Sequence, residues 1–302
     1  MKRSSPIAIF VHRRPEHTRR LLLSLLANPP ASQSAIHIYC DGARYDREAP
    51  EVERARAVVR ELAPKHARIV ERDANLGLAK SVVAGVSELV EAHGEVIVLE
   101  DDLELSPVAL EYFNAALERY LGEERVMHVS GYMYPVRAAL PETFFYREAT
   151  CWGWATWARA WRHFEPDAMR IRSAVIERGA RRAFDAEGSS KFFGMLQAQI
   201  DGRVDSWAIR WYGSMWMRGG LALHPGQSLV RNTGLDGSGE HHGLTGAYDV
   251  DLGAAPVRVF PDSVKESAEA MRAMVSFRKE VRAQERAALW QSVRRRLLAW
   301  RT

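Results

Sequence analysis

The sequence is poor in cysteine and has no long apolar run. Its 302 residues include two cysteines, Cys40 and Cys151, which are too few for a disulfide framework. The N-terminal apolar run Ile7–Val11 is too short for a signal-peptide core, and no run approaches the ~20 residues that cross a bilayer. These absences predict a cytoplasmic protein in a reducing compartment.

Glycine is absent between Ile7 and Arg20, where a dinucleotide-binding G-x-G-x-x-G motif would follow the first apolar run. This absence disfavours a dinucleotide oxidoreductase. Positive charge is concentrated near the C-terminus, because Arg278–Arg301 holds eight Lys or Arg and two Asp or Glu, whereas the whole chain carries +4. The rest of the chain is therefore not basic, which disfavours a nucleic-acid-binding protein.

Apolar runs alternate with segments of helical periodicity through the first 130 residues. The apolar runs predict strands at Ile7–Val11, Ile36–Cys40, Ala67–Val70, Val96–Leu99 and Val126–Ser130. The periodic segments predict helices at Pro15–Leu26, Val52–Leu62 and Leu76–Glu91, and one from the N-cap Ser106 to Tyr120. This alternation predicts an α/β fold with a Rossmann-like, mixed and mostly parallel sheet.

Polar residues follow the predicted strands at the points where the strands end. In a parallel sheet these carboxyl ends share one edge, so residues far apart in sequence meet there. The edge residues are Arg13, Arg14, Asp41, Asn75, Glu100, Asp101 and Asp102. Three consecutive carboxylates repel one another, so the triplet predicts a divalent-metal site that also holds a diphosphate. The alternative is a solvated turn that caps the following helix.

The segment Val96–Pro107, VIVLEDDLELSP, resembles the Glu-Asp-Asp motif of GT-A glycosyltransferases. It is similar in particular to bacterial family 2 enzymes and to the Golgi N-acetylglucosaminyltransferase family that initiates complex N-glycans. The resemblance implies that Asp102 ligates Mn²⁺ or Mg²⁺, while Glu100 and Asp101 approach the ribose and the donor. It also implies a nucleotide-sugar donor, with UDP-sugars favoured, and a hexosyl- or N-acetylhexosaminyltransferase.

Other donor-binding residues follow from the same resemblance. The opening strand, IAIFVHRRP, is similar to the first nucleotide-binding strand and puts Arg13 or Arg14 near the base or the phosphates. Asp41, which ends IYCDG, matches the position that recognises a pyrimidine ring. Asn75 is expected beside the donor. Lys80, near a helix start, either contacts a phosphate or is simply exposed.

Four tryptophans cluster in the segment that begins CWGWATW, which resembles the Gly-Trp loop lining the donor and acceptor pocket. We expect Trp152 and Trp154 to contact the donor and Trp157 and Trp161 to be structural. The alternative is that their spacing forms a helical stripe facing the core.

The segment VDSW resembles the part of the family that carries the catalytic base, which implies that Asp205 takes the acceptor proton. A desolvated carboxylate beside an aromatic ring would have a raised pKa suited to this role. Alternatively Asp205 caps a helix that begins at Ser206, and Asp201 is then the base. In the glycine-rich loop that follows, His241 is expected to bind the donor and His242 the metal, unless both are solvent-exposed.

The C-terminal segment places Leu289, Val293, Leu297 and Trp300 at helical intervals among arginines. A basic amphipathic helix of this kind favours peripheral contact with the inner face of the cytoplasmic membrane, although it is also compatible with a solvated helix. Such contact suits a saccharide or lipid-linked saccharide acceptor in bacterial surface polysaccharide or glycolipid synthesis.

The sequence therefore predicts three regions. Residues 1–130 form a nucleotide-sugar-binding part, 131–262 an acceptor-binding and catalytic part of the same GT-A unit, and 263–302 a basic helical tail. The predicted activity is a metal-dependent, inverting glycosyl transfer. The rival functions are a sugar-nucleotide pyrophosphorylase, which normally has a glycine-rich loop after its first strand, and a non-catalytic scaffold that docks on a membrane or partner.

Overall fold

The computed structural model describes residues 4–235 and 246–299. Its strands are β1 (Ile7–Val11), β2 (Ile36–Cys40), β3 (Arg68–Glu71), β4 (Glu95–Glu100), β5 (Leu103–Leu105), β6 (Val126–Ser130), β7 (Thr143–Tyr146), β8 (Trp154–Trp157), β9 (Leu221–Pro225) and β10 (Val230–Asn232). Its α-helices are α1 (Pro15–Leu26), α2 (Ala49–Leu62), α3 (Leu78–His93), α4 (Ala109–Arg119), α5 (Ala158–Trp161), α6 (Ala168–Glu177), α7 (Arg181–Phe184), α8 (Phe192–Ile200), α9 (Trp207–Met217) and α10 (Ala268–Ala299).

The main sheet is mixed and mostly parallel. Its strand order is β3-β2-β1-β4-β8-β6-β9-β7. Strands β1 to β4 are mutually parallel, as are β6 and β9. Strand β8 lies antiparallel between β4 and β6, and β7 is antiparallel to β9. This arrangement confirms the α/β class with a mixed, mostly parallel sheet that the sequence predicts.

Helices cover both faces of the sheet, which is why its central strands are continuous apolar runs. Along β1, Ile7 and Ile9 face a core formed with α1, α2 and α4. The alternate residues Ala8 and Phe10 face a second core formed with α3, α5 and α9. The two cores fix the sheet from both sides and leave the carboxyl ends of the strands as an open edge.

Helix α4 begins two residues later than predicted, and Ser106 is not its N-cap. The backbone N–H of Ser106 donates to the Leu229 carbonyl at 2.9 Å, and its hydroxyl donates to the Gly253 carbonyl at 2.5 Å. Strand β5 pairs antiparallel with β10, so the chain stays extended through Leu105. Ser106 is therefore engaged by a distant segment, and the helix begins at Ala109.

The tryptophan segment is a strand rather than a helical stripe. In β8, Trp154 pairs with Val98 of β4 and with Ser130 of β6. Because β8 lies between two strands and under helices on both faces, Trp154 and Trp157 are both fully buried. Among the described residues, no helix is long and apolar enough to span a membrane.

Candidate functional site

The acidic triplet lies at the carboxyl end of β4, at the open edge of the sheet. Glu100 is the last residue of β4 and pairs with Phe10 of β1. Asp101 and Asp102 form the turn into β5. The backbone N–H and the hydroxyl of Thr233 both donate to the Asp102 carbonyl, at 2.7 and 3.0 Å. The turn is thus held by β1 on one side and by the end of β10 on the other.

The carboxylates receive hydrogen bonds from three different elements. The backbone N–H of His12, just after β1, donates to Asp101 Oδ2 at 2.9 Å. The guanidinium of Arg14 donates to Asp102 Oδ2 at 2.8 Å. The indole N–H of Trp207, at the start of α9, donates to Glu100. The structure therefore brings the first strand, the fourth strand and the ninth helix together around the triplet.

The charge of the triplet is incompletely balanced. Burial raises the pKa of Glu100 well above its usual range, and the neighbouring carboxylates of Asp102 and Asp101 raise it further. Burial and Asp102 likewise raise the pKa of Asp101, against the lowering effect of the His12 N–H, Arg14 and Arg13. Asp102 Oδ1 is buried and has no hydrogen-bond partner within 4–235 and 246–299. Such a cluster is stabilised by an added cation.

A divalent ion fits this cluster through one carboxylate rather than through a closed protein cage. Within the described ranges no group of three or more His, Cys, Asp or Glu side chains is arranged to hold a metal. The unpartnered Asp102 Oδ1 is nevertheless a hard oxygen ligand. Mg²⁺-type sites commonly use one or two carboxylates and complete their shell with phosphate oxygens and water. The predicted ligand His242 lies outside the described residues, as does the donor-binding His241.

Asp41 and Asn75 meet at the same edge, but they bind one another and the nearby backbone. Asp41 accepts hydrogen bonds from the backbone N–H groups of Leu76 and Gly77 at 2.9 Å and from Asn75 Nδ2 at 3.1 Å. Asn75 Nδ2 also donates to the Gly42 carbonyl at 2.8 Å. Asp41 therefore stabilises the turn into α3. A nucleotide base that binds Asp41 would share the carboxylate oxygens of Asp41 with these hydrogen bonds.

The predicted cationic side chains differ in their exposure and in their contact with the acidic triplet. Arg14 is in direct contact with it, as described. Arg13 is 38% exposed, and its Nε lies 3.7 Å from Glu48 Oε1. Lys80 is exposed in the first turn of α3. Of the three, Arg14 makes the hydrogen bond to the triplet.

The two tryptophans expected at the donor occupy different environments. Trp154 is fully buried, with its ring stacked on Trp207 at 4.9 Å and on His128 at 5.2 Å. This packing corrects the expectation that Trp154 contacts a sugar, because both its faces are covered by other rings. Trp152 is half-buried and makes edge contacts with Tyr132 and other rings of the loop region. Of the two, Trp152 is the one still able to face a ligand.

Asp205 does not lie in the environment predicted for it. Its side chain is 56% exposed and pairs with Arg210 Nη2 at 2.7 Å. The expectation of a desolvated carboxylate is therefore wrong. Ser206, not Asp205, caps α9, because its hydroxyl accepts from the Ile209 N–H. Asp201 comes earlier in the chain and pairs with Arg203.

Two contributions to the site were not predicted from the sequence. Trp207 binds Glu100, whereas the sequence predicted a role for its neighbour Asp205. Gly234 lies directly over the ion pair: a Cβ added there would come within 2.5 Å of Asp102 Oδ2 and 2.8 Å of Arg14 Nη1. The signal for Gly234 was its place at the start of a glycine-rich loop, but the pairing of β10 with β5 that brings it here has no local signature.

No protein-family model matches the chain, and no curated protein matches it in sequence. Among solved structures, the chain is similar to a mannosyltransferase from Pyrobaculum calidifontis in complex with GDP-Man and Mn²⁺, with 12% identity and a TM-score of 0.39 over 72% of this chain and 69% of that one. It is also similar to S. aureus TarS, with 13% identity and a TM-score of 0.30 over 46% of this chain and 23% of that one. Both likenesses are distant, so the function is inferred from the site itself.

Proposed function

We propose that the chain is a metal-dependent glycosyltransferase that moves a sugar from a nucleotide-diphosphate sugar to a hydroxyl acceptor. One observation carries the proposal. Burial, and after it the mutual repulsion of the three carboxylates at the end of β4, raises the pKa values of Glu100 and Asp101, and one buried oxygen of Asp102 has no hydrogen-bond partner in the described part of the chain. A site of this kind at the carboxyl edge of an α/β sheet suits a divalent ion and a diphosphate.

Asp102 would hold Mn²⁺ or Mg²⁺, with His242 as a further ligand. The ion supplies electrostatic stabilisation of the departing diphosphate. Arg14 binds the same carboxylate and is placed to neutralise the diphosphate as well, and Arg13 and Lys80 extend the positive charge outward. The ion and these side chains together hold the leaving group at the edge of the sheet.

The other edge residues would bind the rest of the donor. Asp41 and Asn75 form the wall of the nucleoside pocket, with uridine or another pyrimidine favoured. Glu100 and Asp101 face the ribose and the sugar. Trp152 offers its half-buried ring to a sugar face, and His241 contacts the donor from the following segment.

Asp205 is the proposed base in an inverting transfer. The acceptor oxygen forms a bond to the anomeric carbon while the bond from that carbon to the phosphate oxygen breaks. The nucleoside diphosphate leaves, and the acceptor proton passes to the Asp205 carboxylate. The exposure of Asp205 suits a base that must meet an incoming acceptor, and Arg210 fixes its position.

The acceptor is proposed to be a saccharide or lipid-linked saccharide at the inner face of the cytoplasmic membrane. The buried positions described on α10 run from Ala270 to Val281, and beyond them Trp290 is 75% exposed. An exposed tryptophan on a basic helix supports peripheral contact with anionic lipid. Co-sedimentation with anionic and neutral vesicles, comparing Trp290→Ser with the wild type, tests this part separately.

The transfer itself is tested by incubating the protein with a panel of UDP-, GDP- and other nucleotide sugars, Mn²⁺ and saccharide acceptors. The expected result is Mn²⁺-dependent release of one nucleoside diphosphate together with an acceptor heavier by one sugar. Formation of a nucleotide sugar from a nucleoside triphosphate and a sugar phosphate would instead indicate a pyrophosphorylase. No turnover with any donor would support the scaffold.

A further inference from the structure

Helix α10 is joined to the body of the protein by a buried ion pair. Arg278 bonds to Glu148 Oε2, and the two side chains are 7% and 4% exposed. The other Glu148 oxygen accepts a hydrogen bond from the Tyr134 hydroxyl at 2.8 Å. The Arg278 guanidinium also lies over the Tyr134 ring, 5.0 Å from its centroid. The register of α10 against the segment that follows β6 is therefore fixed by charge as well as by packing.

A continuous chain of ring contacts leads from α10 towards the acidic triplet. Phe277 contacts both Tyr134 and Tyr248, with ring centroids 5.6 Å apart in each case. Tyr248 contacts Trp152 at 6.3 Å. Trp152 also meets Tyr132 at 4.5 Å, and the Tyr132 hydroxyl donates to the Tyr248 carbonyl at 2.8 Å. Trp152 is thus held by two tyrosines, one of which rests on α10.

This aromatic chain ends beside the proposed donor site. Trp152 precedes Gly153, where an added Cβ would come within 2.8 Å of the Val230 side chain. Val230 begins β10, whose last residue Asn232 pairs with Leu103, immediately after Asp102. Gly153, next to Trp152, and the acidic turn therefore both contact strand β10, and Trp152 is linked to α10 through Tyr248.

We propose that Phe277 and Arg278 are positioning residues for the proposed transfer. They fix Tyr134 and Tyr248, and through Tyr248 they set the orientation of Trp152 at the sugar-binding wall. The C-terminal helix is then part of the machinery of the site as well as a tail. The kinetic consequence of this inference rests on the proposed function, whereas its structural part does not.

The test compares Phe277→Ala with Met274→Ala and Phe277→Tyr in the full chain. Met274 is a fully buried residue of the same helix and belongs to one hydrophobic cluster with Phe144 and Tyr146. Because it has no aromatic ring, it makes none of the ring contacts above. Hydrogen exchange is measured over residues 150–154 and 246–250, together with the melting temperature of each variant. Steady-state rates with donor and acceptor are measured for the same proteins.

Phe277→Ala is expected to speed amide exchange in both segments by about tenfold and to lower kcat/KM by about 10- to 100-fold. Phe277→Tyr, which keeps the ring, should restore both. Met274→Ala should lower the melting temperature without either effect. Equal exchange in Phe277→Ala and Met274→Ala would overturn the proposal. If the wild type shows no transferase activity, the proposed function fails, and the exchange data still decide the coupling.

Discussion

Arg14 and Asp102 form an ion pair across the open edge of the sheet, with Nη1 2.8 Å from Oδ2. Arg14 follows β1 and Asp102 follows β4, 88 positions later in the chain. The side chains are 20% and 16% exposed, so the interaction is less screened than that of a surface pair. The carboxylate to which we assign the metal is thus already bound to one cation of the protein.

Replacing Arg14 by methionine is expected to make the protein more dependent on divalent metal. The substitution leaves Asp102 without its guanidinium, which lowers the free energy of unfolding by about 1–3 kcal/mol. Mn²⁺ should then raise the melting temperature of Arg14→Met more than that of the wild type, because the ion supplies the missing charge. Differential scanning fluorimetry over a Mn²⁺ series measures both effects.

Arg19→Met is the matched control, since Arg19 lies in α1, which begins directly after Arg14, and forms a more exposed pair with Glu61. It should respond to Mn²⁺ as the wild type does. An equal Mn²⁺ response in Arg14→Met and Arg19→Met would show that the ion does not bind at Asp102.

Adding a methyl group at Gly234 should weaken metal-dependent binding without unfolding the protein. The new Cβ would lie 2.5 Å from Asp102 Oδ2 and 2.8 Å from Arg14 Nη1, closer than non-bonded atoms allow, so one of these side chains must move. We expect the Kd of a nucleoside diphosphate with Mn²⁺ to rise about tenfold. The control is Gly122→Ala, where an added Cβ has no neighbour within 4 Å. An unchanged Kd in Gly234→Ala would place the ligand elsewhere.

The local signals in the sequence predicted the first half of the sheet well. The strand Ile7–Val11 and the helix Pro15–Leu26 have the predicted bounds, because apolar runs and helical spacing depend on nearby residues. A parallel sheet also brings the carboxyl ends of these strands together, so the proximity of Arg14 to the acidic triplet could be predicted. The strand pattern and the sheet topology were therefore enough to predict that the acidic triplet and Arg14 lie together.

The predictions that were wrong concern residues whose positions depend on contacts between distant segments of the chain. Ser106 looks like an N-cap, but its hydroxyl is bound by the Gly253 carbonyl, 147 positions away. Trp154 looks like a ligand-facing residue, but the insertion of β8 between β4 and β6 buries it. Asp205 looks desolvated beside Trp207, whereas the chain turns its carboxylate outward to Arg210. No local pattern specifies any of these three placements.

Substituting Asp205 by asparagine should lower the rate of transfer while leaving donor binding intact. Removal of a general base typically lowers the rate by about 10²- to 10⁴-fold, and Asp205 makes no contact with the proposed metal ligand Asp102 among those observed. The measurement is kcat with saturating donor, together with the Kd of the nucleoside diphosphate. Asp201→Asn, another exposed carboxylate paired with arginine, is the control. A full loss of rate in Asp201→Asn alone would move the base to Asp201.

The contribution of His128 and His224 to the stability of the fold should fall as the pH falls from about 6.5 to about 4. Burial lowers the pKa of His128 to about 3 and that of His224 to about 4, whereas histidine in an unfolded chain titrates near 6.5. In this window the unfolded chain binds protons that the native protein does not, so each histidine lowers the free energy of unfolding by about 1.4 kcal/mol per pH unit. Above pH 7 this contribution is constant.

Urea unfolding at pH 4.5, 5.5, 6.5 and 7.5 measures this slope. His128 is bound at both ring nitrogens, with the Trp211 indole donating to Nδ1 at 3.1 Å and Nε2 lying 3.1 Å from the Thr150 carbonyl. His128→Gln should reduce the slope, while His66→Gln, at an exposed position, should not. A slope that is the same in all three proteins would mean that His128 is not buried in its neutral form.

Isothermal titration calorimetry tests whether Asp102 organises a metal-dependent nucleotide site. UDP, GDP and the other nucleoside diphosphates are titrated with and without Mn²⁺ into the wild type, Asp102→Asn and Asp167→Asn. Asp167→Asn is the control, because Asp167 is the N-cap residue of α6 and is far from Asp102 in sequence. We expect one nucleotide to bind the wild type and Asp167→Asn in the presence of Mn²⁺, and this binding to be lost in Asp102→Asn. Binding of equal strength in all three, or none to the wild type with Mn²⁺, would contradict it.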